Sequence, residues 1–177
     1  MSIKNVWYNG FMTNPEFFAR SKNGIVVKYD PIHSHASTHF FDTPQIQALV
    51  KKIIEGKALE GDVMLFETDT RLPIGNSDLV ETDETDDIVY AIRKNRDRYA
   101  RFTKSRKSQP SSIITIWLKK LGDDSFDLYS AWLGPSTPSF PGSNFATPES
   151  KPFWEKHALV WGNQEIQPGT ETTICPW

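Results

Sequence analysis

Alternating apolar and polar residues between positions 86 and 134 predict four successive short strands. The strands cover 87–93, 98–104, 112–119 and 126–133, and β-branched and aromatic residues dominate each of them. The segments between them are short and contain Asn, Asp, Gly, Ser and Pro, which are typical of turns. Strands that follow one another through short turns predict an antiparallel meander.

One amphipathic helix has clear start and stop signals in the sequence. Thr43 can cap its first turn, Pro44 suits the first helical position, and Gly56 marks its end. Between these signals apolar residues recur at spacings of three and four, so one face of the helix is apolar. The pattern therefore predicts that this helix packs on one face of the sheet.

Further elements are predicted on both sides of the meander. Residues 24–29 and 63–67 are expected to be strands, and Asn14-Pro15 has the form of a helix start. Residues 68–87 are polar and acidic, which predicts a long loop with a short helix or strand near positions 77–80. A short C-terminal helix is expected from about 152 to 160.

These elements together predict an α+β fold with an antiparallel sheet of four to five strands. The whole chain, 1–177, is expected to form a single domain. Within it we expect N-terminal strands and a helix over 1–67, a sheet region over 74–161, and an irregular tail over 162–177.

Bulk composition limits the classes of protein to consider. No stretch approaches the roughly 20 consecutive apolar residues that span a bilayer. The first residues lack the apolar core of a signal peptide, and the single cysteine, Cys175, has no second cysteine with which to pair. We therefore expect a cytoplasmic protein that does not associate with a membrane.

Charge is segregated along the chain although the net charge is only −2. Residues 67–87 contain eight acids and a single base, whereas residues 93–107 contain eight bases and a single acid. A local basic patch attracts phosphates even on a slightly acidic protein. The alternative is that the acidic segment lies against the basic one and neutralises it.

Three of the four histidines, His33, His35 and His39, fall within seven residues. Their even spacing would place them on one side of a strand, so a metal site is one interpretation. Acid–base chemistry or phosphate contact is a second, because imidazole titrates near neutral pH, and a structural role is a third. The metalloprotease pattern is absent, and we predict no cofactor.

Several segments of the predicted sheet and one downstream segment carry a resemblance to a known family. They are Tyr99-Ala100-Arg101-Phe102, residues 113–118, residues 129–134, and Phe153-Trp154 followed by His157. Across positions 74–161 the chain resembles the barnase/EndoU/colicin/RelE superfamily of small ribonucleases, in the branch found in phage and mobile-element proteins. Small uncharacterised bacterial proteins share the same layout.

The resemblance implies a metal-independent endoribonuclease, in which the 2′-hydroxyl attacks the adjacent phosphate and leaves a cyclic phosphate. This chemistry requires a base, an acid and cations around the phosphorane. Arg101 stands where the family tends to have a cation, Ser130 where the last strand often has Ser or Thr, and His157 matches a downstream histidine. Chemistry alone adds His35 or His39 as a second proton carrier. The segment 75–78 lacks the histidine or lysine that the family often has upstream of the sheet.

RNA contacts are expected along the polar side of the same strands. Tyr99 and Trp117 would stack on bases of a single-stranded segment. RNA phosphates would be contacted by basic and hydroxyl side chains, namely Arg98, Arg101, Lys104, Arg106, Thr103 and Thr115.

Two other functions stay open at this stage. The first is a non-catalytic module that binds nucleic acid through the basic residues or a protein partner through the acidic loop. The second is a metal-dependent hydrolase built on His33, His35 and His39. RNA affinity that falls steeply with salt would support either nucleic-acid function, and stoichiometric zinc would support the hydrolase.

Overall fold

The structure is a computed structural model of the 177-residue chain. It describes residues 16–30 and 43–177 in full, and the backbone of residues 6–8 and 11–13. This part of the chain is mostly sheet with two helices, an α+β architecture. Neither of these two helices is long and apolar enough to cross a membrane.

The structure describes thirteen strands and two helices along the chain. The elements are β1 (Val6–Tyr8), β2 (Phe11–Thr13), β3 (Glu16–Arg20), β4 (Val26–Tyr29), α1 (Pro44–Glu55), β5 (Val63–Asp69), β6 (Gly75–Ser77), β7 (Leu79–Glu81), β8 (Ile88–Ile92), β9 (Tyr99–Thr103), β10 (Gln109–Ser111), β11 (Ile113–Lys120), β12 (Phe126–Leu133), α2 (Ser150–Lys156) and β13 (His157–Val160).

The chain divides into two compact units, and each of them draws on two separate stretches of sequence. The first unit comprises Met1–Arg71 and Ile113–Pro135, and the second comprises Leu72–Ser112 and Ser136–Trp177. That the whole chain acts as one domain stays a prediction.

The first unit contains a five-stranded sheet with the order β3-β4-β12-β11-β5. Its pairs are antiparallel except for β12 and β4, which are parallel. Along β11 the side chains of Ile114, Ile116 and Leu118 are buried on one side, as the alternating pattern predicts. The register with β12 shifts between Trp117 and Leu118, so an extra residue of β12 is accommodated there.

Helix α1 begins and ends where its sequence signals predict. The Thr43 side chain accepts a hydrogen bond from the Ile46 backbone N–H at 3.4 Å, and Gly56 is the C-cap. The helix buries Ile46, Val50 and Ile54, which lie on its apolar face, and it contacts β3.

The second unit contains a four-stranded sheet with the order β7-β13-β9-β8, and a separate pair formed by β10 and β6. Strand β13 lies between β7, to which it is antiparallel, and β9, to which it is parallel. On one side of this sheet Val89, Ala91, Ala100 and Phe102 form a buried apolar cluster. Four partly buried side chains pack against the cluster, namely Phe140, Leu159, Trp161 and Ile166.

The predicted tail is bound to the second sheet along the outer edge of β8. Thr172 exchanges two backbone hydrogen bonds with Tyr90, at 2.8 and 2.9 Å, and Ile166 forms a bridge with Arg93. The backbone N–H of Gln167 donates to the Ile92 carbonyl at 2.8 Å. The tail therefore covers a strand edge that would otherwise expose unpaired backbone groups.

The predicted four-stranded meander is divided between two sheets. Its strands fall within one or two residues of their expected positions, but β8 and β9 form a hairpin in the second unit, and β11 and β12 form a hairpin in the first. Residues 109–111, of which Gln109 and Pro110 are predicted to be part of a turn, form β10 and pair with β6. This pairing separates β9 from β11, because the chain continues along β6 and does not turn back on β9.

Two predicted helices differ from the structure. The helix expected over 152–160 ends at Lys156, and its second half is β13, where Leu159 and Val160 pair with β9. Residues 16–20, which would follow the expected helix start at Asn14-Pro15, form β3. In both places strand pairing outweighs the local helix signal: β3 pairs with β4, which follows it in the chain, and β13 pairs with the distant β9.

Asp127 lies on β12 of the first unit. Burial, and then the neighbouring Asp30, raise its pKa from 3.8 to about 6, and Lys119 partly offsets this increase. A raised folded-state pKa means that the folded protein binds this proton more tightly than the unfolded chain does, so stability increases as the pH falls through about 6 and levels off below about 4. We expect Asp127→Asn to be more stable than the wild type by about 1–2 kcal/mol at pH 8, and this advantage should shrink as the pH falls and disappear near about pH 4.

Urea unfolding at the two pH values tests this expectation, with the exposed Glu60→Gln as the control. An Asp127→Asn variant that gives no advantage at pH 8 would show that the ionised carboxylate is well solvated in the folded protein.

Candidate nucleic-acid interface

A tight turn between β8 and β9 carries the most exposed part of the basic segment. We call residues 93–98 the basic turn. Lys94, Asn95, Arg96 and Asp97 are exposed, and the Arg96 backbone N–H donates to the Arg93 carbonyl at 3.0 Å. Asn95 has a φ of 60°, a left-handed conformation that Asn adopts more readily than most residues. Local turn chemistry therefore fixes the backbone that bears these cations.

The tail holds the basic turn from the side. The Gln167 side-chain Nε2 donates to the Arg96 carbonyl at 2.6 Å, and the Lys94 backbone N–H donates to the Glu165 carbonyl at 2.9 Å. Tail and turn both belong to the second unit. These bonds preorganise the turn, which lowers the conformational entropy that any contact with a partner would cost.

Positive charge at this turn is only partly neutralised. Arg93 lies with its guanidinium 5.7 Å from the centre of the Phe140 ring, and its pKa is lowered to about 10 by burial and by repulsion from Arg96. It therefore stays charged at neutral pH. Lys94 forms an exposed ion pair with Glu165 at 2.5 Å, and such exposed pairs contribute little and exchange readily with other anions.

Arg98 and Tyr99 lie where the basic turn joins β9. Arg98 Nη1 donates to Ser143 Oγ at 2.8 Å, and its Nε lies 3.7 Å from an Asp97 carboxylate oxygen, too far for a strong hydrogen bond. Tyr99 is half-buried and is paired with Ile92 across the hairpin. The structure therefore places Arg98 and Tyr99, two predicted RNA contacts, next to the exposed basic side chains of the turn.

At the other end of the same segment the bases are paired with acids. Arg106 donates from Nε to Asp86 and from Nη2 to Asp83, both at 2.7 Å, and these bonds raise the arginine pKa and lower that of Asp86. The pKa of Asp83 is lowered first by hydrogen bonds from Thr85 and then by Arg106. Lys104 donates to Glu171 at 2.6 Å, which raises the lysine pKa. Acids therefore neutralise the basic residues at this end, as one alternative from the sequence predicts, whereas attraction of phosphates by the basic turn stays a prediction.

Arg101 is buried and holds neighbouring strands together. Its side chain is only 9 % exposed, and Nη1 donates to Thr82 Oγ1 at 2.7 Å and to the His157 carbonyl at 2.9 Å. It is paired with Tyr90 across the hairpin, and the two side chains interact. These bonds connect β9 to β13 and to the residue that follows β7.

His157 is positioned by helix α2. Its Nδ1 lies 2.9 Å from the Phe153 carbonyl, and its ring stacks on the Phe153 ring with centroids 4.1 Å apart. Because Leu159 is the partner of Phe102 and side chains alternate along strands, the imidazole lies on the Phe102 side of the sheet. The Arg101 side chain lies on the opposite side, so only the backbone of His157 contacts the guanidinium.

Thr103 is fully buried, and its Oγ1 accepts a hydrogen bond from the Ser105 backbone N–H at 3.2 Å. Three other predicted site residues, Thr115, Trp117 and Ser130, belong to the first unit. Thr115 is buried and donates to the Gly134 carbonyl at 2.7 Å, and Ser130 is buried opposite Trp117.

Trp117 packs edge-on against Tyr129, with ring centroids 4.6 Å apart. The Lys119 ammonium lies 4.9 Å from the Trp117 ring centre and 3.4 Å from that of Tyr129. Within the described residues the buried Nε1 of Trp117 has no hydrogen-bond partner. A base that stacked on these rings would therefore compete with the lysine.

The histidine cluster, His33, His35 and His39, lies outside the described residues. Among the residues that the structure does describe, no group of three or more His, Cys, Asp or Glu side chains is arranged to hold a metal ion.

Sequence reasoning missed the residues that hold the basic turn. Gln167, Glu165 and Ser143 lie 45 to 71 positions away from their partners in the turn. Their polar character was visible in the sequence, but no periodicity connects an isolated Gln or Ser with a distant hairpin.

Comparison with known proteins adds no relative to this picture. No protein-family model, no curated protein and no solved structure matches the chain.

Proposed function

We propose that this protein is an RNA-binding module that contacts single-stranded RNA through the basic turn, without cleaving it. The observation that supports this most directly is the charge balance at a preorganised turn. Four basic residues, Arg93, Lys94, Arg96 and Arg98, lie within six positions there, beside the acids Asp97 and Glu165, and burial followed by repulsion from Arg96 lowers the Arg93 pKa.

The basic turn would bind the phosphate backbone, with Tyr99 as an additional contact to a base. Lys94 and Arg96 are exposed. Arg98 donates from Nη1 to Ser143, so the N–H groups of its Nη2 would be its donors to phosphate. Phosphate contacts carry no sequence information, so we expect weak sequence preference. A half-buried tyrosine favours single strands, whose bases are free to stack on it.

The first test is binding of a labelled mixed-sequence single-stranded RNA, measured by fluorescence anisotropy across a salt series. Three to four phosphate contacts give an expected slope of about −2 to −3 for log affinity against log salt. The double variant Lys94→Gln/Arg96→Gln should lose about 10-fold in affinity at low salt and flatten the slope by about 1.4.

The matched control is Lys151→Gln/Lys156→Gln, which removes two exposed bases from α2 of the same unit and changes the net charge equally. Equal losses in the two double variants would mean that net charge, and not the basic turn, governs binding. Absence of salt-dependent binding by the wild type would remove the proposal.

A metal-independent ribonuclease is the second candidate, and the orientation of His157 favours it. If Nδ1 carries the proton that bonds to the Phe153 carbonyl, Nε2 is left as a proton acceptor. In the proposed reaction the 2′-oxygen bonds to phosphorus as its proton passes to a base. The bond from phosphorus to the 5′-oxygen breaks, and that oxygen takes a proton. Arg101 is already bonded and on the other side of the sheet, so the cation for this reaction would have to be another residue.

Incubation of the same RNA with excess EDTA separates the two candidates. Fragments that end in a 2′,3′-cyclic phosphate, present with wild type and with the neighbouring Lys156→Gln but lost with His157→Gln, would establish the ribonuclease. RNA that is bound in a salt-sensitive way and stays intact would establish the binding module.

A further inference from the structure

The tail is held along β8 by its backbone and by its last aromatic ring. At one end of the contact the Lys94 backbone N–H donates to the Glu165 carbonyl at 2.9 Å, and at the other end Thr172 bonds with Tyr90. The Trp177 ring packs edge-on against the Tyr90 ring, with centroids 5.1 Å apart. These contacts fix the course of the tail without using its acidic side chains.

The tail contains two acids, Glu165 and Glu171, which we call the tail acids. Each of them forms an ion pair with a lysine at one end of the hairpin of β8 and β9. Glu165 lies 2.5 Å from Nζ of Lys94, which is part of the basic turn. Glu171 accepts a hydrogen bond at 2.6 Å from Nζ of Lys104, which directly follows β9. The tail therefore carries one carboxylate to each end of the hairpin.

Both ion pairs are open to solvent, so other anions can compete for the lysines. The side chains of Lys94 and Glu165 are 60 and 73 % exposed, and those of Lys104 and Glu171 are 38 and 46 % exposed. Such pairs are weak. Because the backbone of the tail holds each acid beside its lysine, however, the acid competes at an effective concentration on the order of millimolar. Rotation of the glutamate side chain is sufficient to release the lysine, and the tail itself stays in place.

Lys104 has a second neighbour that would keep it in position after Glu171 moved away. Its ammonium lies 4.9 Å from the centre of the Trp161 ring, which packs edge-on against Phe102 with centroids 5.4 Å apart. A cation over an aromatic face is attracted by the ring. The charge of Lys104 therefore stays at this end of the hairpin with or without its carboxylate partner.

We propose that the tail acids form an autoinhibitory contact, which occupies Lys94 and Lys104 until phosphates of single-stranded RNA displace it. Carboxylate and phosphate oxygens both accept hydrogen bonds from an ammonium, so they are alternative partners of the same lysines. The inference rests on the proposed RNA binding and adds Lys104 as a phosphate contact beyond the basic turn. RNA then has to exchange two ion pairs, which lowers its affinity.

Zero-length crosslinking tests the exchange directly. A water-soluble carbodiimide joins carboxylates to amines that already form an ion pair, and mass spectrometry of the digested protein identifies the joined residues. We expect Lys94–Glu165 and Lys104–Glu171 crosslinks in the free protein. A saturating mixed-sequence single-stranded RNA without terminal phosphates should lower the yield of both at least 5-fold. The internal control is the pair Lys151–Glu155 on α2, 3.9 Å apart, whose yield should not change.

The double variant Glu165→Gln/Glu171→Gln tests the effect on affinity. It should bind the RNA about 3- to 10-fold more tightly than the wild type at low salt, with a salt slope steeper by up to about 1.4, because two more lysines then release counterions. The matched control is Glu84→Gln/Glu155→Gln, which removes two exposed acids from the same unit and should gain less than 2-fold. Equal gains in the two variants would mean that net charge governs affinity, and the proposal would be wrong.

Amide exchange of Tyr90, whose N–H donates to the Thr172 carbonyl, shows whether the tail stays in place in the Gln variant. Unchanged exchange is expected, and faster exchange would assign the gain in affinity to release of the whole tail and overturn the proposal. Absence of both tail crosslinks in the free protein would overturn it as well. RNA that binds in a salt-sensitive way but leaves the crosslinks unchanged would contradict only this inference, whereas a wild type that binds no RNA would remove the proposed function and this inference with it.

Discussion

Replacing Arg101 with methionine is expected to lower the stability of the second unit by about 3 kcal/mol, although the new side chain is of similar length. The loss arises because a hydrogen bond from a charged donor contributes about 1.5–3 kcal/mol, and Arg101 makes two of them. The substitution also leaves the Thr82 hydroxyl and the His157 carbonyl without this donor. Amide exchange on β9 and β13 measures the change in the unit that contains them.

The control for this experiment is Lys107→Met, which removes an exposed base from the same segment and should change stability by less than about 0.5 kcal/mol. The result tests the structural role of Arg101. If Arg101→Met is as stable as the wild type, the two hydrogen bonds of the guanidinium do not contribute to the stability of the fold, and this role is wrong.

Trp154→Ala is expected to have the largest effect of any single substitution, a loss of about 3–5 kcal/mol. Trp154 is among the largest fully buried side chains, stacks on Phe140 with ring centroids 3.9 Å apart, and donates from Nε1 to the Pro138 carbonyl at 3.0 Å. Its removal would leave a cavity and an unpaired carbonyl, and it would release the irregular segment around Phe140 from α2.

Thermal and urea unfolding compare this variant with Phe145→Ala, which removes a nearby aromatic ring that is 78 % exposed. The Phe145 variant should differ from the wild type by less than about 0.5 kcal/mol. Similar losses in the two variants would contradict the packing described for Trp154.

Local signals in the sequence were sufficient to locate helix α1. Thr43, Pro44 and Gly56 act through backbone groups within four residues of themselves, so their effect does not depend on the rest of the fold. The same holds for the alternation that locates β8, β9, β11 and β12, because a pleated strand presents its side chains in this order whatever its partner is.

Strand partners could not be predicted in this way. Nothing in Gln109-Pro110-Ser111 indicates that it pairs with residues 75–77, and nothing in His157–Val160 indicates a place beside β9. Pairing energy comes from side chains far apart in sequence, which makes it more dependent on context than helix propensity. An alternating stretch therefore predicts a strand but not the sheet that contains it.

The basic segment illustrates the same limit for the candidate site. Its composition indicated a concentration of positive charge, yet Arg93 and Arg106 have different surroundings. Arg106 forms ion pairs with Asp83 and Asp86, whereas Arg93 lies over the Phe140 ring and beside a second arginine. Which basic residues meet acids depends on the segments that folding brings together.

The hairpin of β11 and β12 belongs to the first unit and interrupts the sequence of the second unit. Its two ends lie side by side, since the Gly134 backbone N–H donates to the Ile113 carbonyl at 2.8 Å. In a growing polypeptide, β7, β8 and β9 emerge from the ribosome well before β13, which must later insert between β7 and β9. The second sheet therefore stays incomplete until β13 is synthesised, whereas the central hairpin of the first unit, β11 and β12, is synthesised before β13. Because the two ends of the hairpin lie close together, a short glycine linker in place of residues 113–135 would join the two stretches of the second unit into one continuous polypeptide.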